Sequence, residues 1–303
     1  MTSVSATNER KSFRNGLQFG WDATSIELAS TCLRKYQYSM IEGWQPVRKS
    51  VHLIFGGLYA TALEHFYKHR ALGLTQEEAL REVIKEAMIK SWNLDFQGHS
   101  AKTRFSLIRA IVWYVEQFGE NDNTETYIMA DGKPAVELSF QIDIDEDLVL
   151  SGHLDRVVKF GDDLYWMDQK TTSTTISSHY FEQFNPHNQF SLYTYAGKAV
   201  LHSPIKGGII DAAQIGAGFV RFERGFTHRS DQQLEEWFSS SRYIIDMARS
   251  STTLGFFPMN LASCGNYGGC PFRAVCARPE SVRKNFLKAD FEQTRFWDPL
   301  EAR

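Results

Sequence analysis

Three residues in the middle of the chain are of the right type and spacing to do chemistry together: Asp155, Asp168 and Lys170. They fall in Ser151-Gly152-His153-Leu154-Asp155-Arg156 and in Trp166-Met167-Asp168-Gln169-Lys170-Thr171-Thr172. Both stretches have the two-residue period of β-strands, with Phe160-Gly161-Asp162 as the turn between them. Residues two apart on a strand share a face, so Asp168 and Lys170 project together. Pairing about the turn brings Asp155 near the level of Asp168. Two carboxylates on one pleated face suit a hard divalent ion such as Mg²⁺ or Mn²⁺. An ammonium beside them can hold a phosphate or steer an attacking water. The competing reading is a surface Asp–Lys pair on a hairpin. The apolar run Leu164-Tyr165-Trp166-Met167 and the flanking Leu154 and Val157-Val158 argue against it, because inward charges need partners.

The elements that must position this hairpin can be read outward from it. Ala135 to Ile142, Leu148 to Val158 and Asp163 to Asp168 are expected as a three-strand antiparallel meander. A helix at about 184–202 carries Gln189 and Tyr193, one turn apart on one face. A strand at about 214–223 and a helix from Ser230 to about Ser250 follow. Before the meander, Ser25 to Met40 reads as a helix with Ser25 as N-cap. A second helix at about 56–72 opens on Phe55-Gly56-Gly57 and carries Glu64 and His65, with His65 read as packing or surface. Two more, from Thr75 to Trp92 and over 101–118, are expected as an insertion beside the core. Thr75 and Glu78 have capping-box spacing.

Four cysteines complete the set: Cys32 near the start, then Cys264, Cys270 and Cys276 in a C-x5-C-x5-C run. Spacing alone leaves unrelated thiols, zinc and an iron–sulfur cluster open. Structural zinc sites commonly show tighter pairs, whereas clusters accept varied spacings.

In order, Gly-x-x-Asp-Arg (152–156), Asp-x-Lys-Thr (168–171) and Gln-x-x-x-Tyr (189–193) resemble the PD-(D/E)XK nuclease superfamily. Within it, the match is to the RecB-like exonuclease branch. One cysteine before the core and three after it resembles the iron–sulfur members: the AddB nuclease domain and the CRISPR-associated RecB-like exonucleases. The resemblance runs from about Ser30 to Cys276. It implies metal ligation by Asp155 and Asp168, catalysis by Lys170 with those two aspartates, and DNA contact by Gln189 and Tyr193. It implies a [4Fe–4S] cluster on the four cysteines, with Zn²⁺ as the alternative. The family's usual helix histidine, four residues past the first glycine, falls on Ala60. Glu64, one turn further on the same face, is the expected replacement ligand.

The expected fold is therefore α/β, a restriction-endonuclease-like core of helix, three-strand meander, helix and strand. A helical insertion at about 74–120 and a C-terminal cysteine clasp are added to it. Residues 1–24 are expected as a weakly ordered lead-in, 25–279 as one nuclease domain, and 280–303 as a charged tail. The expected function is a Mg²⁺- or Mn²⁺-dependent DNA exonuclease acting on single strands or duplex ends, in recombination, repair or phage DNA processing. A separate helicase or recombination protein is an expected partner. The alternative is a nuclease-like DNA-binding or assembly module with a weakened site. A formal charge of −3 excludes a protein that coats nucleic acid by bulk basicity and leaves a local patch. No apolar run of about 18 residues and no apolar N-terminal core are present, so the expected location is cytoplasmic.

Overall fold

The structure is a computed structural model that describes residues 12–48, 50–96, 98–201, 204–293 and 297–301. Most of the expected lead-in, residues 1–11, lies outside the described residues. The chain divides into two compact units. One comprises residues 1–48, 141–152 and 231–302; the other comprises 49–140 and 153–230, with residue 303.

The second unit holds the motif strand, Asp163–Thr172. Leu148–Phe160 pairs with it antiparallel, Arg156 facing Met167, and Val136–Asp145 pairs with Leu148–Phe160. On its other side the motif strand runs parallel to Ile205–Ile215, with Asp168 beside Ile210 and Lys170 beside Ala212. The helix Asn188–Val200 makes the crossover between these parallel strands. Its Phe190 stacks on Trp166 at 4.7 Å between ring centroids.

The strand expected at about 214–223 is a hairpin, Ile205–Ile215 followed by Val220–Thr227. Every residue of the first strand except Lys206 is buried, so it carries no alternating pattern. Gly208 is required there, since a Cβ would fall 1.9 Å from Trp166 Cζ2.

Helices Val51–Ala71, Gln76–Ser91 and Arg104–Phe118 share one core, in which Phe55, Leu63 and Phe66 meet Val83, Leu107 and Ile111. That core continues onto the sheet through Ala213, Ile215 and Phe222. The capping box of Thr75 and Glu78 forms as expected. The first of these helices begins at Val51, ahead of the Gly56-Gly57 pair. Burial of Phe55 and Tyr59 outweighs the poor helix propensity of two glycines. Gly56 lets the helix approach the motif strand: a Cβ there would sit 3.2 Å from Thr171 Oγ1.

In the first unit, the helix expected from Ser25 to Met40 is three pieces, Ala23–Thr31, Leu33–Tyr36 and a π-helical turn Gln37–Ile41. Asp22 is the N-cap and Ser25 completes a capping box with it. The break is Cys32, whose backbone is extended (φ −169°, ψ 116°). Trp21 stacks on Tyr36 at 5.3 Å, and its strand runs parallel to Val149 and Leu150. The stretch read as a charged tail holds a helix, Glu280–Asp290, and a strand, Phe291–Gln293, antiparallel to Trp44–Pro46. Leu287 and Phe291 are the buried residues that anchor it, with Phe291 stacked on Phe272 at 4.7 Å. The charge of its exposed face hides that apolar stripe from composition. Among the described residues, no helix is long and apolar enough to cross a membrane.

Candidate active site

The ladder between the two motif strands stops at Arg156 facing Met167. One residue further on, the Asp155 carboxylate enters the space and accepts from the Gln169 N–H at 3.3 Å. The two aspartates are thus brought to one level by the hairpin register. Asp168 is buried and ion-paired with Lys170. Lys170 Nζ also donates to Gln189 Oε1 at 3.2 Å. Gln189 Nε2 in turn donates to Asp168 Oδ1 at 3.2 Å and to the Tyr193 hydroxyl at 2.9 Å. The one-turn spacing of Gln189 and Tyr193 on a helix produces that last bond.

Glu64 lines the same cavity as Asp155, together with Ala60, Gly57 and His153. The cavity measures about 140 Å³. Lys68, one turn along the helix, donates to Glu64 at 2.7 Å. His65 does not line the cavity: its Nδ1 pairs with Glu86, and its Nε2 lies 3.9 Å from Glu64.

Sequence reasoning missed Glu137. It lines this cavity, lies 3.4 Å from Lys68 Nζ, and hydrogen-bonds with Glu64. Its backbone is left-handed, φ +50°, within the strand Val136–Asp145. A non-glycine residue pays strain there, and such strain clusters at functional sites. The alternation of the strand shows which residues share a face with Glu137 but carries no sign of this local twist. His153, held by Ser139 at 2.9 Å, is a second cavity residue that the motif reading passed over.

The electrostatics agree with a site short of positive charge. Burial pushes the Asp155 carboxyl up to about 7; the charge of Asp168 adds to this, and Lys170 only partly offsets it. Burial likewise raises Asp168 against the pull of Lys170. Burial and the hydrogen bond with Glu137 raise Glu64, while Lys68 opposes them. Crowded carboxylates held against their own repulsion are a hard-oxygen donor set that a divalent cation would relieve. Among the described residues, no three His, Cys, Asp or Glu side chains converge as a ready cage.

The cysteines belong to the chain's other unit. All four are free and half-buried. Cys32 Sγ accepts from the Asn260 N–H at 3.4 Å, and Cys264 Sγ lies 3.8 Å from the Asn260 carbonyl. The Cys270 N–H donates to the Cys264 carbonyl at 3.0 Å. Burial raises the Cys276 thiol; Arg34 opposes this, Cys270 and Cys32 reinforce it, and Arg283 opposes it. Cys32 and Cys264 thus both meet Asn260, while among the described residues no three cysteines converge on a metal position.

The model of the PD-(D/E)XK nuclease superfamily matches residues 21–277, and the chain belongs to that superfamily. A solved structure from Eubacterium rectale, provisionally described as an exonuclease, superposes with a TM-score of 0.53. It is 10% identical, and the alignment covers 94% of this chain and 98% of that one. That likeness carries the fold, which is mixed α/β with the restriction-endonuclease-like arrangement expected from the motifs. No curated protein matches the chain.

Proposed function

We propose that the chain is a metal-dependent DNA exonuclease of the RecB-like branch, acting on single strands or duplex ends, with residues 25–279 as one nuclease domain. The observation that carries this reading is the bonded chain Asp168–Lys170–Gln189–Tyr193 facing Asp155. Asp155, Asp168 and Glu64 would hold Mg²⁺ or Mn²⁺, with Glu137 as a further carboxylate in reach of Glu64. Such an ion supplies Lewis-acid activation of water and charge neutralisation at phosphate.

The protein's own groups do the rest. Lys170 is held from two sides, by Asp168 and by Gln189, so its ammonium is a fixed point charge. It can orient the attacking water or hold the scissile phosphate. Gln189 bridges Lys170, Asp168 and Tyr193 and so ties the helix face to the strand that carries the charge. DNA seated there would displace part of this bonding and meet the Gln189 amide and Tyr193 hydroxyl. The products would carry 5′-phosphates.

The four cysteines are proposed to hold a [4Fe–4S] cluster, with Zn²⁺ as the alternative. The reading rests on the order of the four cysteines in the sequence and on all four being free and half-buried. Metal analysis and the visible spectrum of freshly purified protein separate iron from zinc.

The deciding assay incubates the protein with Mn²⁺ and end-labelled linear DNA beside a closed circle. Loss of linear DNA only, abolished by Asp168→Asn, is expected. Cutting of the circle would make it an endonuclease. Absence of any cleavage sensitive to that substitution would sink the enzyme reading and leave a weakened DNA-binding or assembly module. Ala60, which lines the cavity where the family carries histidine, is what favours that second reading.

A further inference from the structure

Outside the carboxylate site, the first unit contains a cavity of about 600 Å³ beside the cysteine segment. That lies within the ~300–1,000 Å³ typical of ligand sites. Four of its lining residues are cations: Arg34, Arg283, Lys284 and Lys288. Among the described residues, none of the four has a carboxylate partner. Arg34 is fixed by its Nε–H donating to the Phe257 carbonyl at 2.8 Å. Arg283 donates to the carbonyls of Arg278 at 2.9 Å and Cys276 at 3.4 Å. Lys284 and Lys288 are exposed and one turn apart on the helix Glu280–Asp290, so they form a row along one face.

The same cavity presents one exposed aromatic ring. Phe256 is 61% exposed, and the Arg34 guanidinium lies 5.9 Å from its ring and 6.0 Å from that of Tyr38. Two acids also line it. Glu42 is occupied by Trp44 Nε1 at 3.0 Å and Gln37 Nε2 at 2.8 Å; Glu280 stands in the first turn of its helix. The cations therefore outnumber the acids by four to two, in a chain whose overall charge is −3.

We infer that this groove binds a single-stranded stretch of nucleic acid. Cations without carboxylate partners, two of them held by carbonyls, suit a phosphate backbone, and the exposed Phe256 ring in the same cavity offers a base a stacking platform. A duplex would keep its bases inside and leave Phe256 without a partner. The inference rests on the nuclease reading for the identity of the anion. It adds to that reading a binding surface built from residues remote in sequence from the catalytic motifs.

The test is the anisotropy of a fluorescent oligothymidylate with the purified full chain, without added divalent cation, across a salt series. Lys284→Glu combined with Lys288→Glu should weaken binding about tenfold or more and flatten the log–log salt slope by about 0.7 for each phosphate no longer neutralised. Phe256→Ala should weaken binding and leave the slope unchanged. Both sites are exposed, and unchanged melting temperatures establish folding. Wild-type affinity and slope in the double variant would overturn the groove, as would equal competition by a phosphopeptide or an anionic lipid vesicle. Binding is measured without hydrolysis, so the two readings fail separately. Hydrolysis with unaltered variant binding removes the groove alone; groove-dependent binding by a protein that never cleaves removes the nuclease alone.

Discussion

Two buried polar clusters in the same unit of this protein are built from similar residues and balanced in opposite ways. In one, Asp122 and Asp211 meet Arg156 and Arg224. Arg224 Nη1 lies 2.5 Å from Asp122, its Nε lies 3.4 Å from Asp211, and Arg156 lies 3.7 Å from Asp122. The Tyr114 hydroxyl donates to Asp211, and Tyr67 places its ring 3.5 Å from the Arg156 guanidinium. In the other, Asp155, Asp168, Glu64 and Glu137 share Lys170 and Lys68. Burial works on Asp122 too, yet hydrogen bonds from Arg224 and the charges of both arginines bring its carboxyl below its ordinary value. Asp155 and Asp168, with too little positive charge beside them, go up. The first cluster balances its charge within the protein, two arginines against two aspartates, although Arg156 Nε and Nη1 have no hydrogen-bond partner among the described residues. The second sets four carboxylates against two lysines and stays short of positive charge. Charge balance, more than burial or residue type, separates a structural network from a site.

The sharpest way to break this comparison is to remove one charge from the satisfied cluster. Asp122→Ala leaves Arg224 and Arg156 buried without their shared carboxylate. It should cost about 3–5 kcal/mol of stability, seen in urea unfolding as a lower midpoint with an unchanged slope. A loss under about 1 kcal/mol would mean that the arginines find other partners and that this network is as open as the other.

Removing a charge from the deficient cluster should instead cost activity. Lys170→Met is expected to lower the cleavage rate about 10²–10³-fold, or about 2.7–4 kcal/mol of transition-state stabilisation. The urea midpoint should fall less than for Asp122→Ala, since the raised Asp168 carboxyl can take up a proton once Lys170 is gone. Gel-resolved single-turnover cleavage measures the first and unfolding the second. If stability collapses and activity survives, the roles of the two clusters are reversed.

The difference between these clusters also marks how far the sequence could be read. Asp155, Asp168 and Lys170 were legible because a two-residue period and one turn fix who faces whom. Gln189 and Tyr193 were legible because one helical turn fixes their face. The satisfied cluster was not. Asp211 and Arg224 are cross-strand partners in a hairpin whose first strand was misplaced, and Asp122 and Arg156 come from other segments that no local period ties to it. Glu137 stayed hidden because its role depends on a left-handed backbone that its neighbours do not announce. Ile205–Ile215 was misplaced because burial on both faces erases alternation. The Glu280–Asp290 helix passed for a tail because its charged exposed face dominates composition. The C-x5-C-x5-C run picks out three late cysteines, but nothing in its spacing announces the extended backbone at Cys32 that ends the first helix.

A smaller effect sharpens the assignment of ligands. Glu64→Gln keeps the shape of the cavity and the contact with Lys68 but removes a charge. Mn²⁺ affinity, by calorimetry, should fall about 10–100-fold if Glu64 contributes to binding. Glu137→Gln should fall on the same scale or below it, and the double variant should lose less than the sum, since the two groups hydrogen-bond with each other. Additive losses would mean that they act on separate ions.

The last effect carries the sign that most cleanly divides the clusters. Asp155 is held up to about 7, against about 3.9 for an unfolded aspartate. A carboxyl raised in the folded state contributes stability that is fully present below the unfolded value. It loses that contribution as pH rises through the folded one. Metal-free protein should therefore lose stability between about pH 4 and 7 on account of this group. Asp155→Asn, which cannot ionise, should melt higher than wild type at pH 8 and show no such gain at pH 4. Added Mn²⁺ should raise the wild-type melting temperature at pH 8 and leave the variant nearly unmoved, because binding to the native state is what relieves the repulsion. Asp122, held below its ordinary value, runs the other way: its contribution is present above the unfolded pKa and fades as pH falls through the folded one. A protein in which both substitutions shift stability in the same direction at pH 8 would not have one satisfied cluster and one waiting for a cation.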